Sequence, residues 1–136
     1  MESQDRMRET NGPNPAFYQD LAVIEQVGNA LVITFTTENL SGPNLGAELQ
    51  AMLSDALGAG GRHLVLDMQN VSYMDSSCIN ALVMLLNKMR NTGSGARAAV
   101  VNAGHNVQYL FRLCRLERLF PICRDVMAAL MAVENG

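Results

Sequence analysis

Residues 62–95 read RHLVLDMQNVSYMDSSCINALVMLLNKMRNTGSG, and the order of patterns inside them decides the fold. The first third, RHLVLDM, is a short continuous apolar run of the kind that forms a strand buried on both faces, and it ends at Asp67. A polar loop follows. From Ser76 onward, Ile79, Leu82, Val83, Leu86 and Met89 keep the i, i+3, i+4, i+7 spacing of one helical face, and Gly93 and Gly95 stop it. Strand, loop and helix in that order predict a crossover in an α/β protein.

Outward from this unit the pattern repeats in kind. On the N-terminal side, LAVIEQVGNALVITF (residues 21–35) places two apolar segments around Gly28-Asn29, the signature of a hairpin and so of a leading antiparallel pair. The segment NLGAELQAMLSDALGAGG (44–61) sets Leu45, Leu49, Met52, Leu53 and Leu57 on one stripe and closes on Gly58–Gly61, which predicts a helix and its terminator. On the C-terminal side, ARAAVVNA (96–103) predicts another buried strand. NVQYLFRLCRL (106–116) predicts a short helix with Val107, Leu110, Phe111 and Cys114 facing one way. RLFPIC (118–123) predicts a last short strand, since Pro121 forbids helix there, and RDVMAALMAV (124–133) a closing helix. Right-handed crossovers then give a parallel or mixed sheet covered by helices. Residues 1 to about 15 are polar and show neither helical nor alternating period, which predicts a flexible tail, 1–18, before a domain spanning 19–136.

Composition narrows the function. The chain has 136 residues, 49% of them hydrophobic, which suffices for one domain with a real core. Ten basic against thirteen acidic residues give a net charge of −3, and no Lys/Arg run supplies the footprint that a phosphate backbone requires, so no nucleic-acid partner is expected. No apolar run approaches the roughly 20 residues that cross a bilayer, and the N-terminus lacks a signal peptide's apolar middle, which predicts a cytoplasmic protein without a membrane partner. Three cysteines, Cys78, Cys114 and Cys123, form no CxxC pair and have no histidine ladder nearby. They read as reduced, mostly buried residues, with no disulfide framework, no metal site and no cofactor.

The residues that start the helix after the loop, Asp75, Ser76, Ser77 and Cys78, allow three readings. Asp75 as N-cap, with Ser76 and Ser77 in the first turn, would accept from the free amide of the second or third helical residue and stabilise the start by about 1 kcal/mol. A nucleophile is disfavoured, because no G-x-S-x-G elbow surrounds the serines and the only histidines, His63 and His105, begin a separate strand and helix. Cys78 at a helix start is a thiolate candidate by its dipole and a packed small residue by its neighbours. The third reading is a switch. Phosphorylation of a first-turn hydroxyl adds about −1.5 to −2 charge that the helix amides tolerate but that a partner packed over the site would not.

The strand LVLDM followed by NVSYMDSS, its helix, the strand AAVVNA and the segment LFRLCRLERLFPI together resemble the STAS domain of bacterial anti-sigma-factor antagonists, over about Leu21 to Val133. The resemblance implies a four- to five-stranded mixed sheet with an N-terminal hairpin and helices packed on one side, and no catalysis. It implies a serine phosphorylated by a partner kinase: Ser76, directly after the motif's aspartate, with Ser77 as the second choice. The implied partner is an anti-sigma factor with serine kinase activity, bound when the serine is free and released when it is phosphorylated, with a phosphoserine phosphatase to reset the state. The implied contact residues are Asp75, Ser76, Ser77, Cys78, Asn80, Glu38 and Asn39, and the implied state is a monomer or weak dimer. The sequence departs from the family pattern at three places: Cys78 stands where glycine is usual, with a small residue or glycine usual near Asn80; TTENL (36–40) replaces the usual Gly-Glu-Leu-Asp, where Glu38 fits and the aspartate is absent or replaced by Asn39; and the tail before Pro15 has no counterpart in the shortest family members. A constitutive scaffold subunit of a larger signalling assembly, its serines acting as caps only, is the alternative expectation.

Overall fold

A computed structural model of the chain describes residues 21–57, 63–93 and 95–135. The elements run β1 (Ala22–Val27), β2 (Ala30–Phe35), β3 (Asn39–Leu40), α1 (Pro43–Leu57), β4 (His63–Asp67), β5 (Tyr73–Met74), α2 (Ser76–Thr92), β6 (Ala98–Val101), α3 (His105–Leu113), a 3-10 turn (Leu116–Arg118), β7 (Ile122–Cys123) and α4 (Val126–Asn135). The expected tail at 1–18 and the terminator at Gly58–Gly61 lie outside the described residues.

Five strands form one mixed sheet in the order β1-β2-β4-β6-β7. β1 and β2 are the expected antiparallel hairpin, with Val27 opposite Ala30, and Gly28 takes the left-handed φ of 61° that the turn demands. The remaining pairs are parallel, Leu31 beside Leu64, Leu66 beside Val100, and Val100 beside Ile122. Each crossover steps in the same direction across the sheet, so right-handedness puts α1, α2 and α3 on one face. There Leu31, Ile33, Phe35, Leu64, Leu66 and Val100 meet Leu49, Met52 and Leu53 of α1, Leu82 and Leu85 of α2, and Val107 and Phe111 of α3. Burying each of these large side chains contributes about 1.5–3 kcal/mol of transfer free energy.

The expectation of helices on one side holds for those three. α4 lies against the other face, where Ala129 and Val133 cover Ala30, Val32, Val65, Ala99 and Val101. The reason is that β2, β4 and β6 are apolar on both faces, so the second face also needs a cover, and α4 follows the last strand and is no crossover. The predicted strand at 118–123 is shorter than expected: Leu116–Arg118 turn as a 3-10 helix, and only Ile122 and Cys123 pair. Cys114 is exposed, against the expected stripe, because α3 ends at Leu113 and Cys114 caps it with non-helical φ/ψ of −94° and 3°.

Two further strands, β3 and β5, pair in parallel, Asn39 beside Tyr73 and Leu40 beside Met74. Leu40 and Met74 are fully buried beneath the pair. This small ladder joins the segment before α1 to the segment before α2, and so sets the two helix starts side by side.

Candidate functional site

Asp75 is the hinge of that junction. Its backbone N–H donates to Leu40 O at 2.9 Å, and as N-cap of α2 its Oδ1 accepts from Cys78 N, the third helical residue, at 3.0 Å. Its Oδ2 accepts from Gly42 N at 2.7 Å, in the loop before α1. Ser77 Oγ donates to Oδ1 at 2.8 Å. These bonds, the Gly42 amide first and the Cys78 amide next, hold the Asp75 carboxyl down at about 2 against an ordinary 3.8. At neutral pH it is therefore a carboxylate held by three donors.

The two serines divide sharply. Ser77 is half-buried, its hydroxyl turned to Asp75, with Gly42 O a further acceptor at 3.4 Å. Gly46 of α1 presses on it from the other side: a Cβ at Gly46 would stand 2.7 Å from Ser77 Oγ and 2.9 Å from Ser77 Cβ. Ser76, by contrast, is exposed, and its hydroxyl makes no hydrogen bond among the described residues. The amides of Ser76 and Ser77 lie in the first turn, where no intrahelical acceptor exists, and they are the ones that Asp75 leaves free.

Gly46 yields a test of this packing. Gly→Ala in a helix ordinarily gains up to about 1 kcal/mol. Here the contact with Ser77 reverses the sign, and Gly46→Ala is expected to destabilise by about 1–3 kcal/mol in urea unfolding. Adding Ser77→Gly should recover part of the loss.

Cys78 is fully buried in the main core, and burial, with the Asp75 carboxylate next to it, pushes its thiol up to about 11. It is neither a thiolate nor a surface for a partner, which corrects its place among the expected contact residues. A disulfide reagent should modify exposed Cys114 in the native protein and reach Cys78 only on unfolding; fast native labelling of Cys78 would contradict the packing. His63 accepts from Arg97 N through Nδ1 at 3.0 Å at the start of β4, the opposite end of the strand from Asp75. His105, at the start of α3, is exposed and makes no hydrogen bond to the motif among the described residues. No three of His, Cys, Asp and Glu among the described residues come together as a metal ion would need.

The other expected contact residues stand at the surface. Glu38, Asn39, Ser76 and Asn80 are exposed, and the β3–β5 ladder brings the first two to the motif: Glu38 O accepts from Ser72 N at 2.8 Å, and Ser72 Oγ donates to Glu38 Oε2 at 3.5 Å. Tyr73, 47% exposed and paired with Asn39, belongs to the same surface. The sequence reading missed it, along with Gly42 and Gly46. The one legible signal was a glycine, Gly46, set inside the apolar stripe of a helix.

The STAS domain family matches the chain over residues 22–129. No curated protein matches the sequence significantly. Among solved structures, an anti-sigma-factor antagonist (STAS) domain protein from Planctomyces limnophilus is 17% identical, covering 82% of this chain and 96% of its own, with a TM-score of 0.68. The anti-sigma factor antagonist SpoIIAA in its unphosphorylated form is 18% identical, covering 85% and 97%, with a TM-score of 0.70. The Bacillus cell fate determinant SpoIIAA in the phosphorylated form is 17% identical, covering 79% and 95%, with a TM-score of 0.60. At these identities the likeness is one of fold. No helix among the described residues is long and apolar enough to cross a membrane.

Proposed function

The chain belongs to the STAS domain family, and from that premise we propose that it is an anti-sigma-factor antagonist, an interaction module controlled by phosphorylation. Unmodified, it binds an anti-sigma factor with serine kinase activity and so frees a sigma factor. That partner moves the γ-phosphoryl of ATP onto Ser76 Oγ, releasing ADP and a proton, and the modified chain lets go.

The observation that carries this reading is the contrast between the serines. Ser77 Oγ is engaged with Asp75 and confined by Gly46, whereas Ser76 Oγ is exposed and free of hydrogen bonds among the described residues. A phosphate on Ser76 would sit at the start of a 17-residue helix, close to two uncommitted amides. It would leave the Asp75 network intact and add its charge beside a carboxylate already ionised. Two forms of SpoIIAA, unphosphorylated and phosphorylated, share the fold. TTENL (36–40) stands in place of the family's Gly-Glu-Leu-Asp, with Glu38 and Asn39 exposed, and the motif's aspartate is absent or replaced by Asn39. On this reading the surface around Ser76 carries one negative charge fewer before modification.

The test is a reconstituted transcription assay with a sigma factor held by its anti-sigma factor from the same cell. The unmodified chain should restore transcription, and the chain phosphorylated at Ser76 should not. Failure of the unmodified chain to bind any anti-sigma factor of its host would contradict the proposal.

A further inference from the structure

At the end of the sheet away from Ser76, a cavity of about 550 Å³ opens between the C-terminal parts of α2 and α4 and the start of β6. That volume lies within the range of small-molecule sites. Its walls are apolar, from Leu86 and Met89 of α2, Leu119 and Pro121 before β7, and Ala132 and Val133 of α4. Two cations, Arg90 and Arg97, line the same space; both are exposed, and neither makes an ion pair among the described residues.

The strand edge inside the cavity is unfinished. Val100 N donates to Pro121 O at 2.9 Å, and Asn102 N to Cys123 O at 3.3 Å, so the even-numbered residues of β6 turn their backbone groups toward β7. On the other side Leu64 N donates to Arg97 O and Met68 N to Val101 O, as the alternation requires. Ala98 therefore presents its N–H and C=O to the β7 side. The ladder would have the residue at 121 donate to Ala98 O, and that residue is a proline without an N–H. No backbone bond among the described residues meets the Ala98 N–H there, although Ala98 is only 5% exposed. Facing the cavity, that N–H is left for water or a ligand's acceptor to meet.

We propose that this cavity is a binding site for a small amphipathic carboxylate, an apolar body with a single anionic head. The walls take the body, and Arg90, Arg97 and the Ala98 N–H take the head. A polyphosphate would find too little polar surface on these walls, and an extended peptide would find only one residue of open edge, where strand addition needs several. The site is remote from Ser76, so its failure would leave the proposed function untouched, and the reverse.

Decanoate below its micellar concentration is the probe, titrated into the full chain and followed by amide chemical shifts and calorimetry. The expected result is saturable one-site binding with the Ala98 and Arg97 amides among those that move. Arg90→Gln or Arg97→Gln should each weaken it by about tenfold, decanol should bind weaker by at least as much, and Ala132→Trp should fill the cavity and abolish it. The arginine variants are surface changes that keep the test valid if Ala132→Trp does not fold. The proposal is overturned if the Ala98 amide does not move, if decanol binds as tightly as decanoate, if the arginine variants bind unchanged, or if an apolar decapeptide displaces decanoate and binds more tightly.

Discussion

Ser76→Asp is expected to lower affinity for the anti-sigma partner at least about a hundredfold, while the free energy of unfolding stays within about 0.5 kcal/mol of wild type. Both halves follow from where Ser76 sits. Its side chain is exposed and unbonded among the described residues, so replacing it disturbs no packing. A carboxylate in the first turn of α2 is also favoured by the helix amides. In the complex, however, that carboxylate would be pressed beside Asp75, which is ionised down to about pH 2. Two desolvated like charges at an interface cost several kcal/mol. Ser76→Ala should bind as wild type does. Ser77→Asp should behave differently: its carboxylate would be forced against Gly46 and Asp75, and the variant should lose stability before it loses binding. Calorimetric titration with the partner, run beside urea unfolding of each variant, separates the two effects. Equal affinity of Ser76→Asp and wild type would refute the repulsion mechanism.

The largest stability effect should come from Asp75→Ala, a loss of about 2–4 kcal/mol. The cap alone is worth about 1 kcal/mol. The remainder comes from two half-buried groups, the Gly42 amide, which loses its acceptor, and the Ser77 hydroxyl, which keeps only Gly42 O at 3.4 Å, at about 1 kcal/mol each. A loss of that size is a large fraction of the 5–15 kcal/mol that holds a typical domain together. The same residue sets a pH dependence. Its carboxyl is depressed in the folded state, to about 2 from 3.8 in the unfolded chain. The stability it contributes is thus fully present above about pH 5 and is lost as pH falls toward 2. Asp75→Asn should flatten the stability curve in that window and nowhere else. A wild-type curve parallel to that of Asp75→Asn between pH 5 and 2 would show the network to be absent in solution.

Much of this fold was legible because its signals are local. The stripes of Leu49, Met52 and Leu53 and of Leu82 and Leu86 face the core as their spacing predicts, Gly28 and Gly93 take left-handed φ values at the turn and helix end, and Asp75 caps α2 through the third helical amide. β3 and β5 were not legible, because two-residue strands have no period and their pairing joins residues more than thirty apart. α4 gave no sign of its face, since apolar residues surround it: Val126, Ala129 and Val133 pack inward while Met127 and Met131 are left exposed. The division of labour between Ser76 and Ser77 was equally hidden. Sequence marks both as first-turn hydroxyls, and only the approach of Gly46 and Gly42, contributed by the segment that begins α1, makes one structural and leaves the other free.

The central claim is that Ser76, and not Ser77, is the group on which the partner acts. Intact mass and fragment masses of the chain after incubation with its partner kinase and ATP test it most directly. One added phosphate is predicted, located on Ser76, retained in Ser77→Ala and absent from Ser76→Ala. Phosphate on Ser77, or full modification of Ser76→Ala, would contradict it.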